Sequence, residues 1–401
     1  VRLYNNGVLQ DDILRLLLLN MRLTEERKGD LNAQIAAARL GTNRVEDIIQ
    51  KTGAGQLCVV FEQIITSTHR RLRHAITALP DGCYTFSDKM DDDGAGTEDI
   101  LINLMIEKRG DHICFDFEGT DGQVPGNFNL TLNATQSAVC FALKALLDPE
   151  VPNNQGIFDA IEIKAPLGSF LNCVAPASVA MRANTCQRVV DVVIGALAET
   201  LPEQAVAAAN GANTSAVFAG YDPRNGQRYI YLETLGGGMG ARATKDGKDG
   251  VQVNITNTSN LPVEAIELEY PLRVEEYALV MDSGGAGRHR GGMGIRRSIR
   301  PVGHVCEFNG VGERFRHKPW GLFGGAPGAH GRFFLQDNAG GQQPLPSKAT
   351  GITLNPDHLA VMETPGAGGY GPPADRSKTS LKEDLDSGKF SVAFVEKNYK
   401  M

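Results

Sequence analysis

Glycine and arginine residues are spaced in this sequence in patterns that could form a binding or catalytic site. They are concentrated in four segments, residues 233–242, 284–292, 313–328 and 364–371. Consecutive glycines let a backbone adopt positive φ and bring its N–H groups close to a ligand or another chain. Because arginine offers a planar fork of donors to carboxylate, phosphate or carbonyl groups, we predict substrate or anion contacts at Arg288, Arg290 and Arg314. The segments could instead be tight turns in which the arginines hold loops by bonding carbonyl groups.

A polar pair near the start of the chain is the second candidate. Asp30 and Gln34 are four residues apart in a predicted helix, so they share one face, beside small alanines that permit close packing. Such a pair could line a substrate site or bond a neighbouring loop, and the sequence favours neither alternative. Asp116 alternates with Phe115 and Phe117 along a predicted strand. It could be a buried, functional carboxylate, but we favour a structural or solvated one.

Several motifs of common enzyme classes are absent from the sequence. It holds no phosphate-binding loop of the form G-x-x-x-x-G-K-[ST], no G-x-S-x-G and no H-E-x-x-H. Residues 236–241 fit G-x-G-x-x-A, but a loop follows them where a dinucleotide site needs a helix. The seven cysteines and eight histidines are scattered without metal-ligand spacing, so we assign no metal ligand within this sequence.

Composition is typical of a globular protein in a reducing compartment. The chain has 401 residues and a net charge of -7, so it has no general attraction for nucleic acid or an anionic membrane. Its longest apolar run, residues 16–19, is too short to cross a bilayer, and its start shows no signal-peptide pattern. Because the cysteines are odd in number and include no C-x-x-C pair, we expect a cytoplasmic protein.

Hydrophobic periodicity predicts an α+β fold with a helical N-terminal part, a mixed middle and a strand-rich, glycine-heavy C-terminal half. In the N-terminal part, helices are predicted over 11–19, from Thr24 to a stop at Gly41, over 44–52 and over 57–76. The corresponding regions are residues 1–80, 81–215 and 216–401.

Beyond residue 80 the hydrophobic period changes from that of a helix to that of a strand. We predict a strand around Tyr84, a hairpin over 98–118, a strand near 160, and helices over 138–147 and 185–199. Strands dominate the last region, and they are predicted at 216–221, 227–233, 251–256, 263–269, 274–281, 294–300, 331–336 and 358–362. The residues from Asp375 onward are predicted to be a peripheral tail.

Taken together and in this order, the motifs are more specific than any one of them alone. The sequence resembles the hydantoinase B/oxoprolinase family over essentially its whole length. The resemblance rests on the four glycine segments and on residues 20–37, 116–120, 152–156, 180–182 and 187–191.

The resemblance implies a cytoplasmic complex of two kinds of subunit. A hydantoinase A subunit with an actin/hexokinase-like ATPase fold would hold ATP and Mg²⁺ and phosphorylate the oxygen of an amide, lactam, imide or ketone enol. The B-type subunit, which this chain resembles, would take the activated intermediate to hydrolysis or carboxylation. A chain without a phosphate-binding loop is compatible with ATP-dependent chemistry if its partner holds the ATP.

The resemblance also implies a divalent metal ion, zinc or manganese. B-type chains of the family carry a leading segment whose histidine and aspartate residues bind it. This sequence begins at Val1, which is not a start methionine, so we expect the metal ligands upstream of Val1. Such a metal would lower the pKa of a bound water or polarise the reacting carbonyl.

Three hypotheses follow for the function. The first is a subunit of an ATP-dependent cyclic amide hydrolase of the hydantoinase, oxoprolinase or lactamase type. The second is a subunit of an acetone- or acetophenone-type ketone carboxylase on the same scaffold. The third is a non-catalytic subunit that holds the ATPase partner. All three predict a hetero-oligomer.

Overall fold

The computed structural model describes residues 1–399 and confirms the predicted α+β fold. Internal contacts divide the chain into two compact units, a helical unit of residues 1–67 and a larger unit that begins at Thr68. The three-region division predicted from the sequence stays a prediction. Helices and strands alternate in the first part of the larger unit, and antiparallel strands dominate the remainder.

The helical unit begins with a short antiparallel pair, β1 (Tyr4–Asn5) and β2 (Val8–Leu9). Three helices follow, and they are α1 (Asp11–Leu19), α2 (Thr24–Thr52) and α3 (Ala54–Thr77). The predicted stop at Gly41 and the separate helix predicted over 44–52 are wrong, because α2 continues to Thr52 and ends at Gly53, whose φ is 81°. A glycine inside a helix costs only about 1 kcal/mol, which is too little to end a long helix.

The long amphipathic helix predicted over 57–76 is confirmed by α3. Its apolar stripe is buried from Thr68 onward, where Leu72 and Ile76 enter the core of the larger unit. The same stripe is exposed in the first half of the helix, at Phe61 and Ile64.

The first layer of the larger unit is a four-stranded sheet covered by helices. Its strands, in spatial order, are β3 (Gly82–Asp92), β4 (Glu98–Arg109), β5 (His112–Asp116) and β6 (Glu162–Lys164). Its helices are α4 (Leu132–Leu147), α5 (Gln155–Asp159) and α6 (Arg182–Leu197). The predicted hairpin is confirmed, and Ile100, Ile102, Leu104 and Ile106 alternate into the core. Helix α6 packs on α4, β3 and β4, so its buried polar residues lie beneath the sheet.

Two further antiparallel sheets share a second core. One consists of β7 (Thr214–Tyr221), β8 (Arg228–Leu235), β11 (Cys306–Val311) and β14 (Lys348–Leu354). The other consists of β9 (Leu272–Leu279), β10 (Ile295–Pro301), β12 (Arg332–Asp337), β13 (Gln342–Leu345) and β15 (His358–Glu363). The ring of Phe308 meets that of Phe333 edge to face, with centroids 6.2 Å apart, so side chains of both sheets interlock.

Two of the predicted strands are wrong. Residues 263–269 form the helix α7 (Val263–Glu269), which follows the N-cap residue Pro262 and buries only Ile266. The alternating Val, Glu and Ile residues are compatible with a strand or a helix. The proline before them and the glutamate in the first turn favour the helix. Residues 251–256 form no strand, and Val251 makes a single bridge to Gly237.

The predicted peripheral tail is also wrong, because residues 375–399 pack into the protein. They form α8 (Lys378–Asp386), capped by the hydroxyl of Ser377, and α9 (Val392–Tyr399). Their apolar side chains share a small core with Ala286 and Met293 of the second glycine segment, and those buried are Leu381, Phe390, Val395 and Tyr399.

Candidate functional site

The four glycine segments lie backbone against backbone, and we call this arrangement the glycine layer (residues 236–241, 284–294, 321–328 and 366–371). The N–H of Ala241 donates to the carbonyl of Gly368 over 3.0 Å, and that of Gly285 donates to Ala367 over 2.8 Å. A Cβ atom on Gly240 would lie 1.7 Å from the carbonyl oxygen of Ala207. These glycines therefore permit close packing between segments, and the N–H groups named here are used within the chain.

Arg290 is buried at the edge of the glycine layer, among carboxylates. Its guanidinium donates to Asp249 over 2.7 Å and to Asp384 of α8 over 2.9 Å. Arg376 donates to Asp384 over 2.6 Å and to Asp246 over 2.8 Å. Although burial acts in the opposite direction, Arg376 and Arg290 hold the pKa of Asp246 below its usual value. The cluster fastens the C-terminal helices to the glycine layer.

Arg314 is fully buried and lies in the left-handed region, with φ of 64°. Its Nη2 lies 2.8 Å from Asp191 of α6 and 2.9 Å from Asp88 of β3. A non-glycine residue in this region is uncommon and is held there by its surroundings. The two carboxylates therefore balance the charge of Arg314 and fix the position of its guanidinium.

Further charged side chains extend this cluster around Arg314. Arg188 of α6 contacts Asp88 over 3.5 Å and Glu313 over 3.4 Å, and Lys348 of β14 contacts Glu313. We call the six residues the buried charge cluster, and they are Asp88, Arg188, Asp191, Glu313, Arg314 and Lys348. Three formal negative charges face three positive ones, as burial of charge requires.

The carboxyl groups of this cluster differ in their pKa because they differ in burial. Burial raises the pKa of Asp191 and Glu313, and nearby cations offset this only in part. The Asp88 side chain keeps 10% of its surface exposed, and Arg314 and Arg188 outweigh its burial and hold its pKa below the usual value. The cluster therefore binds together β3, α6 and the segment that begins at Glu313.

The segment after Arg314 is positioned by one carboxylate. Asp91 accepts from the backbone N–H of Phe315 over 2.7 Å, of Arg316 over 3.2 Å and of His317 over 3.0 Å. Trp320 donates from its ring nitrogen to Asp88 over 3.2 Å. The turn is thus fixed at both ends by acidic residues of β3.

Arg288 is the one of the three predicted arginines whose side chain is exposed. Its Nη2 donates to the carbonyl of Ala243 over 2.9 Å, and its Cζ lies 6.0 Å from the ring centroid of Tyr370. The half-exposed Phe323 lies beside the same ring, with centroids 5.1 Å apart. Burial lowers the pKa of the neighbouring His289, so its imidazole is neutral near pH 7. This edge of the glycine layer therefore presents the Arg288 cation and the Phe323 ring, both of which lie next to the buried ring of Tyr370.

Asp30 and Gln34 lie one turn apart on the exposed surface of α2. Asp30 forms an ion pair with Arg27 over 2.7 Å. Asp116 is half-buried, and its carboxylate accepts from the backbone N–H of Glu118 over 2.9 Å, so it stabilises a turn. Substrate contact by the five predicted site residues stays a prediction.

The sequence analysis missed the acidic partners of the arginines. Asp191 and Arg188 lie within residues 187–191, one of the motifs that carry the family resemblance, but nothing identified their role. The available signal was a basic and an acidic residue three apart within the otherwise apolar residues 188–197, which indicates burial with partners. Asp88 and Asp91 gave no such signal, since they lie in a strand with many polar residues, beside the further aspartates Asp92 and Asp93.

Within residues 1–399, no group of three or more His, Cys, Asp and Glu side chains is arranged to hold a metal ion. Over the same range, no helix is both long and apolar enough to span a membrane.

Comparisons with known proteins agree with this architecture. Residues 1–373 match the family model described as hydantoinase B/oxoprolinase. A protein described as the B-type component of a D-/L-hydantoinase, from Pseudomonas species strain NS671, is 33% identical over 97% of this chain and 67% of its own length. The crystal structure of the ATP-dependent caprolactamase from Pseudomonas jessenii superposes with a TM-score of 0.92 and 26% identity, over 100% of this chain and 70% of that one.

A nucleotide-free acetone carboxylase structure shares the fold, with a TM-score of 0.88 and 19% identity over 100% of this chain and 60% of that one. The chain thus spans about two thirds of the length of the relatives named here. It belongs to the hydantoinase B/oxoprolinase family.

Proposed function

We propose that this chain is the B-type subunit of an ATP-dependent cyclic amide hydrolase of the hydantoinase, oxoprolinase or lactamase type. The observation that carries the proposal is the superposition of the whole chain on the ATP-dependent caprolactamase. The hydantoinase relative, matched over nearly the whole chain, supports the same class of reaction.

The proposed partner is an ATPase subunit of hydantoinase A type, which would hold ATP and Mg²⁺ in the cytoplasm. Its presence would explain how a chain without a phosphate-binding loop takes part in ATP-dependent chemistry. Residues 1–399 offer no ligand set that fits the divalent metal implied by the family. We therefore derive no chemical step through a metal from these residues.

The proposal predicts substrate-dependent ATP turnover by the full-length protein, with any residues encoded upstream of Val1, co-purified with its partner. Hydantoin, 5-oxoproline or caprolactam should stimulate ATP hydrolysis without bicarbonate, and the ring-opened acid should accumulate. The control is the partner alone with the same substrates. A complex that binds ATP and responds to none of these amides, nor to ketones, would indicate a purely structural subunit.

The second candidate is a subunit of a ketone carboxylase. It is supported by the shared fold with acetone carboxylase over the whole chain. The same assay separates the two, because a carboxylase should turn over ATP with acetone or acetophenone only when bicarbonate is added. Stimulation of that kind, with no response to cyclic amides, would replace the first proposal.

Arg288→Ala is expected to lower substrate-dependent turnover about tenfold to a hundredfold, because a charged hydrogen bond contributes roughly 1.5–3 kcal/mol. The exposed guanidinium lies over the ring of Tyr370, and no carboxylate of residues 1–399 forms an ion pair with it. Turnover of the complex and the thermal midpoint should be measured together. The control is Arg273→Ala, an exposed arginine of β9 paired with Glu275 over 3.5 Å. Equal losses of stability and turnover in Arg288→Ala would show that the residue only holds its loop.

A further inference from the structure

A cavity of about 670 Å³ lies between α4 and α5, outside both the glycine layer and the buried charge cluster. Its volume is within the range of small-molecule pockets in proteins. Helix α4 lines it with Phe141, Lys144 and Ala145, and α5 lines it with Ile157 and Phe158. The loop between the two helices closes one side.

That loop contains residues 152–156, one of the segments that carry the family resemblance, and the structure fixes it against α3. The side chain of Asn154 donates to the hydroxyl of Thr68 over 2.8 Å. At the other end of the loop, Arg71 donates to both oxygens of Asp148, over 2.5 and 2.7 Å. Because both ends of the loop are bonded to one helix, the cavity is formed before any ligand enters it.

Lys144 is the single charged residue among the eleven that line the cavity. Its ammonium donates to the side-chain oxygen of Asn153 over 2.8 Å, and it forms no ion pair within residues 1–399. The carboxylate of Asp148, four residues further along, is already engaged by Arg71. The cation at this cavity is therefore held by a neutral amide, which leaves its charge available to an anion from outside.

The remaining lining is uncharged and largely apolar. The side chains of Phe141 and Phe158 line the cavity, and these residues stay 38% and 37% exposed. A ligand that covered these rings would remove apolar surface from water. Burial raises the pKa of the Cys140 thiol, another lining group, to about 12, so it adds no negative charge near neutral pH.

We propose that this cavity binds a small carboxylate with an apolar body, of the chemical class of a medium-chain fatty acid. The carboxylate lies at Lys144, and the chain lies along Phe141 and Phe158. An amino acid with an ammonium at the far end of its chain, such as the ring-opened product of a lactam, is excluded, because the lining offers that ammonium no carboxylate. The site is therefore independent of the proposed reaction.

The probe is decanoate below its micelle concentration, with binding measured by calorimetry on the full-length protein, including any residues encoded upstream of Val1. Affinity should rise from hexanoate to decanoate, by up to about fourfold for each methylene that enters the cavity. Decanol and decyltrimethylammonium should bind about tenfold to a hundredfold more weakly than decanoate, because neither forms the charged hydrogen bond to Lys144. For the reason given above, 6-aminohexanoate should not compete.

Two variants test the two halves of the cavity. Lys144→Gln should weaken decanoate binding about tenfold to a hundredfold, because it removes the charge and keeps a donor near Asn153. Ala145→Phe should abolish binding, because its ring fills the cavity from an exposed helical position. The matched control is Lys382→Gln on α8, an exposed lysine that lines no part of the cavity, and it should bind decanoate as the unmodified protein does.

Several outcomes would overturn the proposal. They include no saturable decanoate binding by the full-length protein, and binding that Lys144→Gln and Ala145→Phe leave unchanged. Equal affinity for decanoate and decanol would show that apolar surface alone attracts the chain. If residues 1–401 bind decanoate but the full-length protein does not, residues upstream of Val1 occupy the cavity, and it is no ligand site.

Discussion

Arg314→Met is expected to lower the free energy of unfolding by about 3–5 kcal/mol, because it leaves two buried carboxylates without their shared cation. Asp191 lies 2.8 Å and Asp88 lies 2.9 Å from the guanidinium that this substitution removes. Urea unfolding should be followed by the fluorescence of Trp320, the single tryptophan, whose ring nitrogen donates to Asp88. The midpoint should fall to a much lower urea concentration.

The matched control for this prediction is Arg316→Met, two residues further along. Arg316 is half-exposed and pairs with Glu98 over 2.7 Å, so its loss should cost less than about 1 kcal/mol. One other result would instead favour the substrate or anion contact that the sequence predicts for Arg314. If Arg314→Met unfolds like the unmodified chain but its complex loses substrate-dependent turnover, Arg314 contacts substrate or an anion.

Gly240→Ala is expected to destabilise the glycine layer by about 3 kcal/mol or more, since one added methyl group overpacks a rigid contact. The Cβ atom of the new alanine would lie 1.7 Å from the carbonyl oxygen of Ala207. A backbone carbonyl cannot rotate away from this contact as a side chain can. The thermal midpoint and amide hydrogen exchange of residues 366–371 should report the change, because these residues bond the same segment.

The control for Gly240→Ala is Gly82→Ala at the start of β3. A Cβ there meets its nearest neighbour, the hydroxyl of Tyr84, at 3.8 Å, which is an ordinary contact. Neither glycine has positive φ, so the comparison isolates steric overlap from backbone strain. Equal small effects at both positions would mean that the glycine layer can expand to admit a side chain.

The local hydrophobic pattern predicted those helices and strands whose structure depends mainly on their own residues. The alternation of Ile100 to Ile106 identified β4, and the apolar spacing of α3 identified a long helix. The strands β11, β13 and β14 were not predicted, since they contain glycine, proline or many polar residues. They exist because neighbouring strands complete their hydrogen-bond ladders, as Phe308 of β11 does with Phe218 of β7.

The candidate site was less accessible to sequence reasoning than the fold. Arg290 and Arg314 were identified as special, but their carboxylate partners were not, because Asp191 is 123 residues from Arg314. Likewise, consecutive glycines are typical of both turns and close backbone contacts, and only the partner segments distinguish the two. Arg288 remains exposed because the neighbouring backbone turns it toward solvent, which no local pattern encodes.

The fastening of residues 375–399 to the glycine layer has a consequence for folding order. Arg290 contacts Asp384, and the N–H of Gly287 donates to the hydroxyl of Tyr399, 112 residues further along. During synthesis, the ion pair between Arg290 and Asp384 can therefore form only after α8 has been made, although Asp249 is already present. The second glycine segment likewise lacks its apolar cover until α9 has emerged from the ribosome. Contacts so distant in sequence are slow to form, and the incomplete layer exposes unpaired backbone groups meanwhile. Newly made chains should therefore keep this apolar surface exposed until α9 docks.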